Sequence, residues 1–371
     1  MTIPGSSAPS PADTRAERWR TLQIAPLRLR ILCLLLLAGI AVGCPCIRGP
    51  VNASPALRWW LFSHFGAERI CPEMLKRGVP LKLTAGGNTV GRFFPTRCVH
   101  QVNDQTQTVT IDFGGTGFAW TPVAGRVGFA MNAALEYRPD FYMTEDAVYV
   151  WGKLQRVVHG PEFQLGAVEN KVVDWAASTP VGYLANTFGG QIVSSQLSSG
   201  FTVVRTDEGD EFALGILQPP ARPKKPFDTS EGDRYVFAND TTEIRYDQLD
   251  FLGPFEVADS DQALFLRFRL RGNPVEAFVF PRSVADLYRE GLQRGTGVGP
   301  LPQPPLQSFV IPPGQEMRRK IRLPRGHYVL MVDNTHALGT VRPVWNPLSA
   351  FGANSVELSY TAELGEEDDD F

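Results

Sequence analysis

The chain has 371 residues, of which 43% are hydrophobic and 20% are charged, and its formal net charge is −3 at pH 7. This length accommodates two domains. The composition is that of a folded protein, which excludes extensive disorder. The net charge is mildly negative, whereas nucleic-acid binding requires a basic surface, so we expect no nucleic-acid partner.

The N-terminus has the pattern of an export signal. Residues 31–42 form an unbroken apolar run, which follows five arginines and precedes Gly43-Cys44. A basic stretch, an apolar core and a small-residue exit are the three parts of a secretory signal peptide. The run is shorter than the roughly 20 apolar residues that a membrane-spanning helix needs. We therefore predict a signal peptide at 1–43, with a lipoprotein signal, a plain signal peptide and an uncleaved anchor as the three alternatives.

The first alternative is favoured because the residues from Ala41 to Cys44 resemble the lipobox of bacterial lipoproteins. The resemblance implies cleavage before Cys44 and acylation of that cysteine with palmitate-like chains, which together hold a protein stably on a membrane. Pro45 stands where inner-membrane lipoproteins of this class carry Asp. The resemblance therefore favours the outer membrane over the inner one, with the mature chain facing the periplasm or the cell surface.

The five cysteines agree with export to an oxidising compartment. Cys33 lies in the predicted signal and Cys44 at the predicted lipidation site, so Cys46, Cys71 and Cys98 remain. One disulfide is expected, and Cys71–Cys98 is the favoured pair. Cys46 has no assigned partner. The sequence contains no CxxC pair, so we predict no metal site.

Residues 44–79 are predicted to be an anchor segment with a short helix. Ser54 and Pro55 form the helix start, since Ser is a common N-cap and Pro is favoured at the first helical position. The aromatic residues that follow are Trp59, Trp60, Phe62 and Phe65. They suit either the membrane interface or packing against the next domain, and we favour packing.

Residues 80–216 are predicted to form a first domain with two kinds of periodicity. Alternating apolar residues predict strands with one buried face, as at Val109, Ile111 and Phe113 and over GFAMNAALEY. The glycine-rich stretches AGGNTVG (85–91) and FGGTGF (113–118) predict hairpin turns. Over 170–197 apolar residues recur every three or four positions, which predicts a long amphipathic helix with a broad apolar face.

The element order of this domain resembles the small tubular lipid-binding (TULIP-like) bacterial lipoproteins. The similarity covers a hairpin around YMTEDAVYVWGKL, the predicted helix and the following SSGFTVVR. It implies an antiparallel curved sheet around the long helix, with an elongated apolar groove for a ligand such as lipid. The alternative is a groove filled by the domain's own side chains. The residues predicted to bind the ligand are Val173, Ala177, Val181, Leu184, Phe188, Ile192 and Trp151.

Residues 217–230 are rich in proline and charge and predict a linker. Residues 231–361 alternate in the manner of strands, with one helix over PRSVADLYREGL, and 362–371 form an acidic tail. The segment KIRLPRGHYVLMVDN resembles strands of jelly-roll and GOLD-like sandwiches. The predicted fold class is therefore α+β and all-β: a curved sheet around a long amphipathic helix, then a β-sandwich domain. The basic MRRKIRL stretch favours a protected edge strand over a phosphate-binding patch.

We expect no enzyme and no cofactor. The five histidines are scattered, and the sequence contains none of the HExxH, GxSxG or P-loop spacings. The polar run from Asp333 to His336 favours an Asx-type turn over a metal site. Two functions remain: a membrane-anchored lipoprotein that binds an apolar ligand through its first domain, or a structural lipoprotein of a cell-envelope complex in which the β-sandwich docks a protein partner.

Overall fold

The computed structural model describes residues 45–76, 78–82, 87–121, 125–168, 200–229, 234–344 and 354–370. The residues up to Ser54 and those from Pro55 onward form two separate compact units. In the first unit the described element is helix α1 (Pro45–Ala53). All other elements belong to the second unit.

The second unit contains helices and fifteen strands among its described residues. The helices are α2 (Pro55–Leu61), a π-helical turn (Phe62–Gly66), α3 (Ala67–Lys76) and α4 (Arg282–Gln293). The strands are β1 (Val79–Lys82), β2 (Thr89–Asn103), β3 (Thr108–Thr121), β4 (Gly125–Met143), β5 (Val148–Val168), β6 (Phe201–Thr206), β7 (Gly209–Leu214), β8 (Tyr235–Ile244), β9 (Gln248–Val257), β10 (Gln262–Arg271), β11 (Val275–Pro281), β12 (Gln307–Ile311), β13 (Glu316–Arg322), β14 (Gly326–Asn334) and β15 (Val356–Glu366). The helix starting at Pro55 and the helix over 281–292 are confirmed, the latter displaced by one residue.

Strands β2 to β8 form a closed sheet of seven strands, because β8 pairs with both β7 and β2. The closing pairs are Gly209 with Val236 and Thr89 with Thr242, and both are parallel. One face of this sheet is apolar. The predicted alternation is confirmed, since Val109, Ile111 and Phe113 are all buried. Side chains of α2, the π-helical turn and α3 pack against this face.

Strands β8 to β15 form two antiparallel four-stranded sheets that share one core. The first sheet has the order β8-β15-β10-β13 and continues the closed sheet through β8, and the second has the order β12-β11-β14-β9. The shared core contains side chains from every one of these strands. The basic strand β13 lies at a sheet edge, as its composition predicts. Strand β8 thus belongs to both the closed sheet and the first of the two four-stranded sheets.

The predicted fold class is wrong. The structure is mostly β, with a closed seven-stranded sheet in place of a curved sheet wrapped around a long helix. The longest helix among the described residues is α4, which has 12 residues. The helix predicted over 170–197 lies outside the described residues.

The glycine-rich stretch 113–118 is also not a turn, because it lies inside β3. A side chain at Gly115 would place its Cβ 2.2 Å from the carbonyl oxygen of Phe94 in the neighbouring strand. Glycine permits the two backbones to approach this closely while the strand continues. The glycine pattern therefore marks close strand contact in this protein, which a single sequence does not distinguish from a turn.

Where it is described, over 217–229, the segment predicted as a linker contacts strand β7 and the turn between β4 and β5. Arg222 pairs with Asp146 at 2.5 Å, and Lys225 pairs with Glu211 at 2.6 Å. Phe227 is buried. This proline-rich segment therefore lies along the surface of the sheet that it leaves.

Candidate functional site

The predicted site residues fall into two groups. Cys44 and six of the seven predicted ligand-binding residues, Val173, Ala177, Val181, Leu184, Phe188 and Ile192, lie outside the described residues. Trp151 lies on β5, where it packs against a small cluster of Ala147, Tyr149 and Val204. The structure therefore does not bring the predicted apolar groove together within the part of the chain that it describes.

The predicted cysteine pair is present. Cys71 of α3 and Cys98 of β2 form a disulfide, with their Cα atoms 5.3 Å apart. Cys71 is buried, and the bond fastens the helix to the edge of the closed sheet's apolar face. A disulfide of this kind is typical of proteins that fold in an oxidising compartment.

A buried ion pair connects the closed sheet to the two-sheet core. The Arg92 guanidinium of β2 donates from Nε and Nη2 to the two carboxylate oxygens of Asp250 on β9, at 2.9 and 3.1 Å. Asp250 also accepts from the Thr242 hydroxyl at 2.7 Å and from the Phe251 backbone at 2.8 Å. Arg92 reaches Tyr360 of β15 at 3.4 Å. One side chain of the first half thus contacts both sheets of the second.

The charge states of this network are fixed by its own contacts. Burial alone raises the pKa of Asp250, but the charge and hydrogen bonds of Arg92, with those of Thr242 and Phe251, outweigh burial and hold that pKa below its usual value. Burial raises the pKa of Tyr360 to about 12. Burial lowers the pKa of Arg92, yet the charge of Asp250 leaves it raised overall. These groups hold one protonation state through the neutral range, so the network does not suit proton transfer.

A small cleft with a volume of about 20 Å³, which is room for about one water molecule, lies beside this network. Its walls carry two cations stacked on aromatic rings: Arg245 lies 3.4 Å from the Trp120 ring centre, and Arg126 lies 4.4 Å from that of Phe118. Arg245 also pairs with Glu243 at 2.9 Å. The cleft is too small to hold a small-molecule ligand. Its aromatic walls hold the two guanidinium groups in place.

An acidic pair is buried on the other face of the sheet β12-β11-β14-β9, away from Asp250. Asp333 of β14 lies directly across from Glu276 of β11, and both are buried. Glu276 accepts hydrogen bonds from the Thr340 hydroxyl and the backbone nitrogens of Thr340 and Val341. Asp333 accepts from the Thr335 backbone at 2.8 Å, but among the described residues its Oδ2 has no hydrogen-bond partner.

Burial dominates the ionisation of Asp333. It raises the pKa to about 6, the hydrogen bonds from Thr335 oppose that shift, and the charges of Glu276 and Asp247 add to it. The Thr335 contact is the Asx-type turn that the sequence favours at this position. Over the described ranges, no cluster of three or more histidine, cysteine or acidic residues is arranged to hold a metal ion.

Arg92 and Asp250 were not predicted as site residues from the sequence. A local signal exists, since each charged residue lies within an apolar strand segment, GRFF and LDFL. A charge at such a position is rarely buried unless it has a partner. The partner is not predictable from one sequence, because the two residues are 158 positions apart.

Within the described ranges, no helix combines the length and the apolar character needed to cross a membrane. No protein-family model matches the chain, and no curated protein matches its sequence. A proposal about function therefore depends on the residues and contacts described above.

Proposed function

We propose that this chain is an exported bacterial lipoprotein, anchored through Cys44 and non-catalytic, whose joined β halves dock a protein partner of the cell envelope. The observation that carries the proposal is the disulfide between Cys71 and Cys98. Both cysteines lie after the N-terminal apolar run and the lipobox-like residues that end at Cys44. A basic, apolar and small-residue N-terminus together with a structural disulfide indicates export.

The docking part of the proposal rests on the second half of the molecule. The strand order, in which successive strands cross between two four-stranded sheets, resembles that of jelly-roll sandwiches. The buried Arg92–Asp250 pair holds the closed sheet to this sandwich, so both would face a partner as one body. We place the protein on the outer membrane, in keeping with Pro45 after the acylated cysteine.

Binding of an apolar ligand stays a prediction. Six of its seven residues lie outside the described ranges, and the seventh, Trp151, packs within a small core cluster. The fold from which that groove was inferred is wrong.

The anchor is tested by growing cells that express the chain with radioactive palmitate. Cys44→Ala is the test variant, and Cys46→Ala is the matched control because it removes a cysteine two positions away. We expect the wild-type chain and Cys46→Ala to be labelled and Cys44→Ala to be unlabelled. Equal labelling of Cys44→Ala, or an unlabelled wild-type chain, contradicts the proposal.

The compartment is tested through the disulfide. Cells are treated with a membrane-permeant thiol-alkylating reagent, and the purified chain is then digested without reduction. Export predicts a cross-linked peptide pair that contains Cys71 and Cys98, with neither cysteine alkylated. Alkylation of both cysteines indicates a reducing compartment and contradicts export.

A further inference from the structure

The helical segment that follows the predicted anchor has two aromatic faces. Trp59 and Phe62 pack inward against the apolar face of the closed sheet, together with Ile70 and Met74. The Trp59 indole also donates to the Asp104 carboxylate at 3.0 Å. Packing against the next domain, which the sequence favours, is therefore observed for Trp59 and Phe62. It does not account for Trp60 and Phe65.

The outer face consists of Trp60, His64 and Phe65, which we call the aromatic face. The rings of Trp60 and His64 are 4.9 Å apart between centres, and those of Trp60 and Phe65 are 5.9 Å apart. Trp60 is 42% exposed and Phe65 is 54% exposed. Two large side chains on one short helical segment thus leave apolar area in water, although burying such a side chain contributes about 1.5–3 kcal/mol.

The helical segment is fixed to the body of the protein. Arg58 donates to both carboxylate oxygens of Asp140 at 2.6 and 3.1 Å, and the disulfide holds α3 to β2. The aromatic face therefore has a fixed orientation on the closed sheet and does not turn inward. An exposed cation, Arg69, follows Phe65 by one helical turn, where it can meet phosphate.

The covalent path from the anchor to this face is short. Trp60 follows Cys44 by 16 residues, and nearly all of them belong to α1 (Pro45–Ala53) and α2 (Pro55–Leu61). At 1.5 Å per helical residue the path is at most roughly 25–30 Å long, about half of its fully extended length. If Cys44 is held in a bilayer, the aromatic face lies within that distance of the anchor.

We infer that the aromatic face binds the surface of the lipid bilayer beside the anchor, with Trp60 and Phe65 at the level of the headgroups. Tryptophan is enriched at this level because its ring is apolar and its N–H is polar. An amphipathic helical segment that lies in the interface adds to a lipid anchor and orients the attached protein. The inference rests on the proposed anchor and adds a second, non-covalent contact with the membrane.

The test uses the full chain with its own anchor, reconstituted in phosphatidylcholine vesicles in which part of the lipid carries bromine on its acyl chains. Bromine quenches tryptophan emission at short range. Trp60→Phe is the test variant, and Trp151→Phe is the matched control because Trp151 packs within the β5–β6 cluster. Flotation of the vesicles reports anchoring independently of quenching.

We expect the wild-type chain to float with the vesicles and Trp60→Phe to lose most of the bromine-dependent quenching, while Trp151→Phe keeps it. Phe65→Ser, which retains Trp60 as the reporter, is expected to weaken the quenching. Quenching of Trp60→Phe equal to wild type, in protein that still floats, overturns the inference and leaves the anchor standing. A wild-type chain that does not float overturns the proposed function and this inference with it.

Discussion

The two faces of the sheet β12-β11-β14-β9 each bury a carboxylate, and the two carboxylates behave in opposite ways. Asp250 lies on the face toward the other sheet, where four hydrogen bonds from Arg92, Thr242 and Phe251 hold its pKa below the usual value. Asp333 lies on the face toward α4, beside Glu276, and its pKa is raised to about 6. The degree of burial is nearly equal, at 5% and 3% exposure.

The difference shows that burial alone does not decide the charge of these residues, because a cationic partner outweighs burial at Asp250 and none does so at Asp333. Burial raises the pKa of both carboxylates. The fixed guanidinium of Arg92 reverses that effect at Asp250, whereas a neighbouring acid enhances it at Asp333. The face with Asp250 is thus joined to the closed sheet by a permanent ion pair. The face with Asp333 carries an acid that titrates under mildly acidic conditions.

The largest expected effect comes from removing the guanidinium. Arg92→Met leaves the Asp250 carboxylate buried without its cation, which typically costs about 3–5 kcal/mol in the free energy of unfolding. Urea denaturation of the purified chain at pH 7 measures this loss. The double variant Arg92→Met/Asp250→Leu removes both charges and is expected to recover a large part of it. A loss below about 1 kcal/mol for Arg92→Met alone would mean that water reaches the pair.

The second-largest effect is expected at Asp333, where removing the charge should raise the free energy of unfolding. Asp333→Asn keeps an oxygen for the Thr335 backbone but removes the charge, so it is expected to stabilise the protein at pH 7.5 by up to about 3 kcal/mol, from a shift of two pKa units. Because the folded-state pKa lies above the unfolded value of 3.8, the wild-type stabilisation is fully present below about pH 4 and is lost as pH rises through 6.

Thermal unfolding of wild type and Asp333→Asn at several values between pH 4 and 8 tests the second effect. We expect the difference between the two melting temperatures to grow through this range and to level off above pH 7. A difference that does not change with pH indicates that Asp333 is already ionised at pH 4 in the folded protein, which contradicts the contrast with Asp250.

The smallest effect is expected from an ion pair on the same strand as Arg92. Arg97 of β2 pairs with Asp112 of β3 at 3.0 Å, but both side chains are half exposed. Arg97→Met should change the free energy of unfolding by less than about 1 kcal/mol, and added salt should reduce that change. A change as large as that for Arg92→Met would show that burial does not determine how much each ion pair contributes to the free energy of unfolding.

Local pattern in the sequence predicts much of the β structure. The alternation at Val109, Ile111 and Phe113 predicts their common buried face, and Pro55 predicts a helix start, because both signals depend on neighbouring residues. The closure of the sheet was not predicted. It depends on Thr89 meeting Thr242, a contact between distant residues that leaves no periodic signal.

The candidate site was harder to predict for the same reason. Cys71 and Cys98 could be proposed as a pair because few cysteines remained to choose from. Arg92 and Asp250 each had many candidate partners of opposite charge. For the 113–118 stretch the sequence suggested the wrong element, since Gly115 serves close strand approach rather than a turn.

The intact mass of the mature protein, extracted from membranes in mild detergent, tests the central claim most directly. We predict a polypeptide that begins at Cys44 and carries the added mass of a diacylglyceryl group with or without a further acyl chain. A polypeptide that retains Met1, or one that begins at another residue and carries no acyl group, contradicts it.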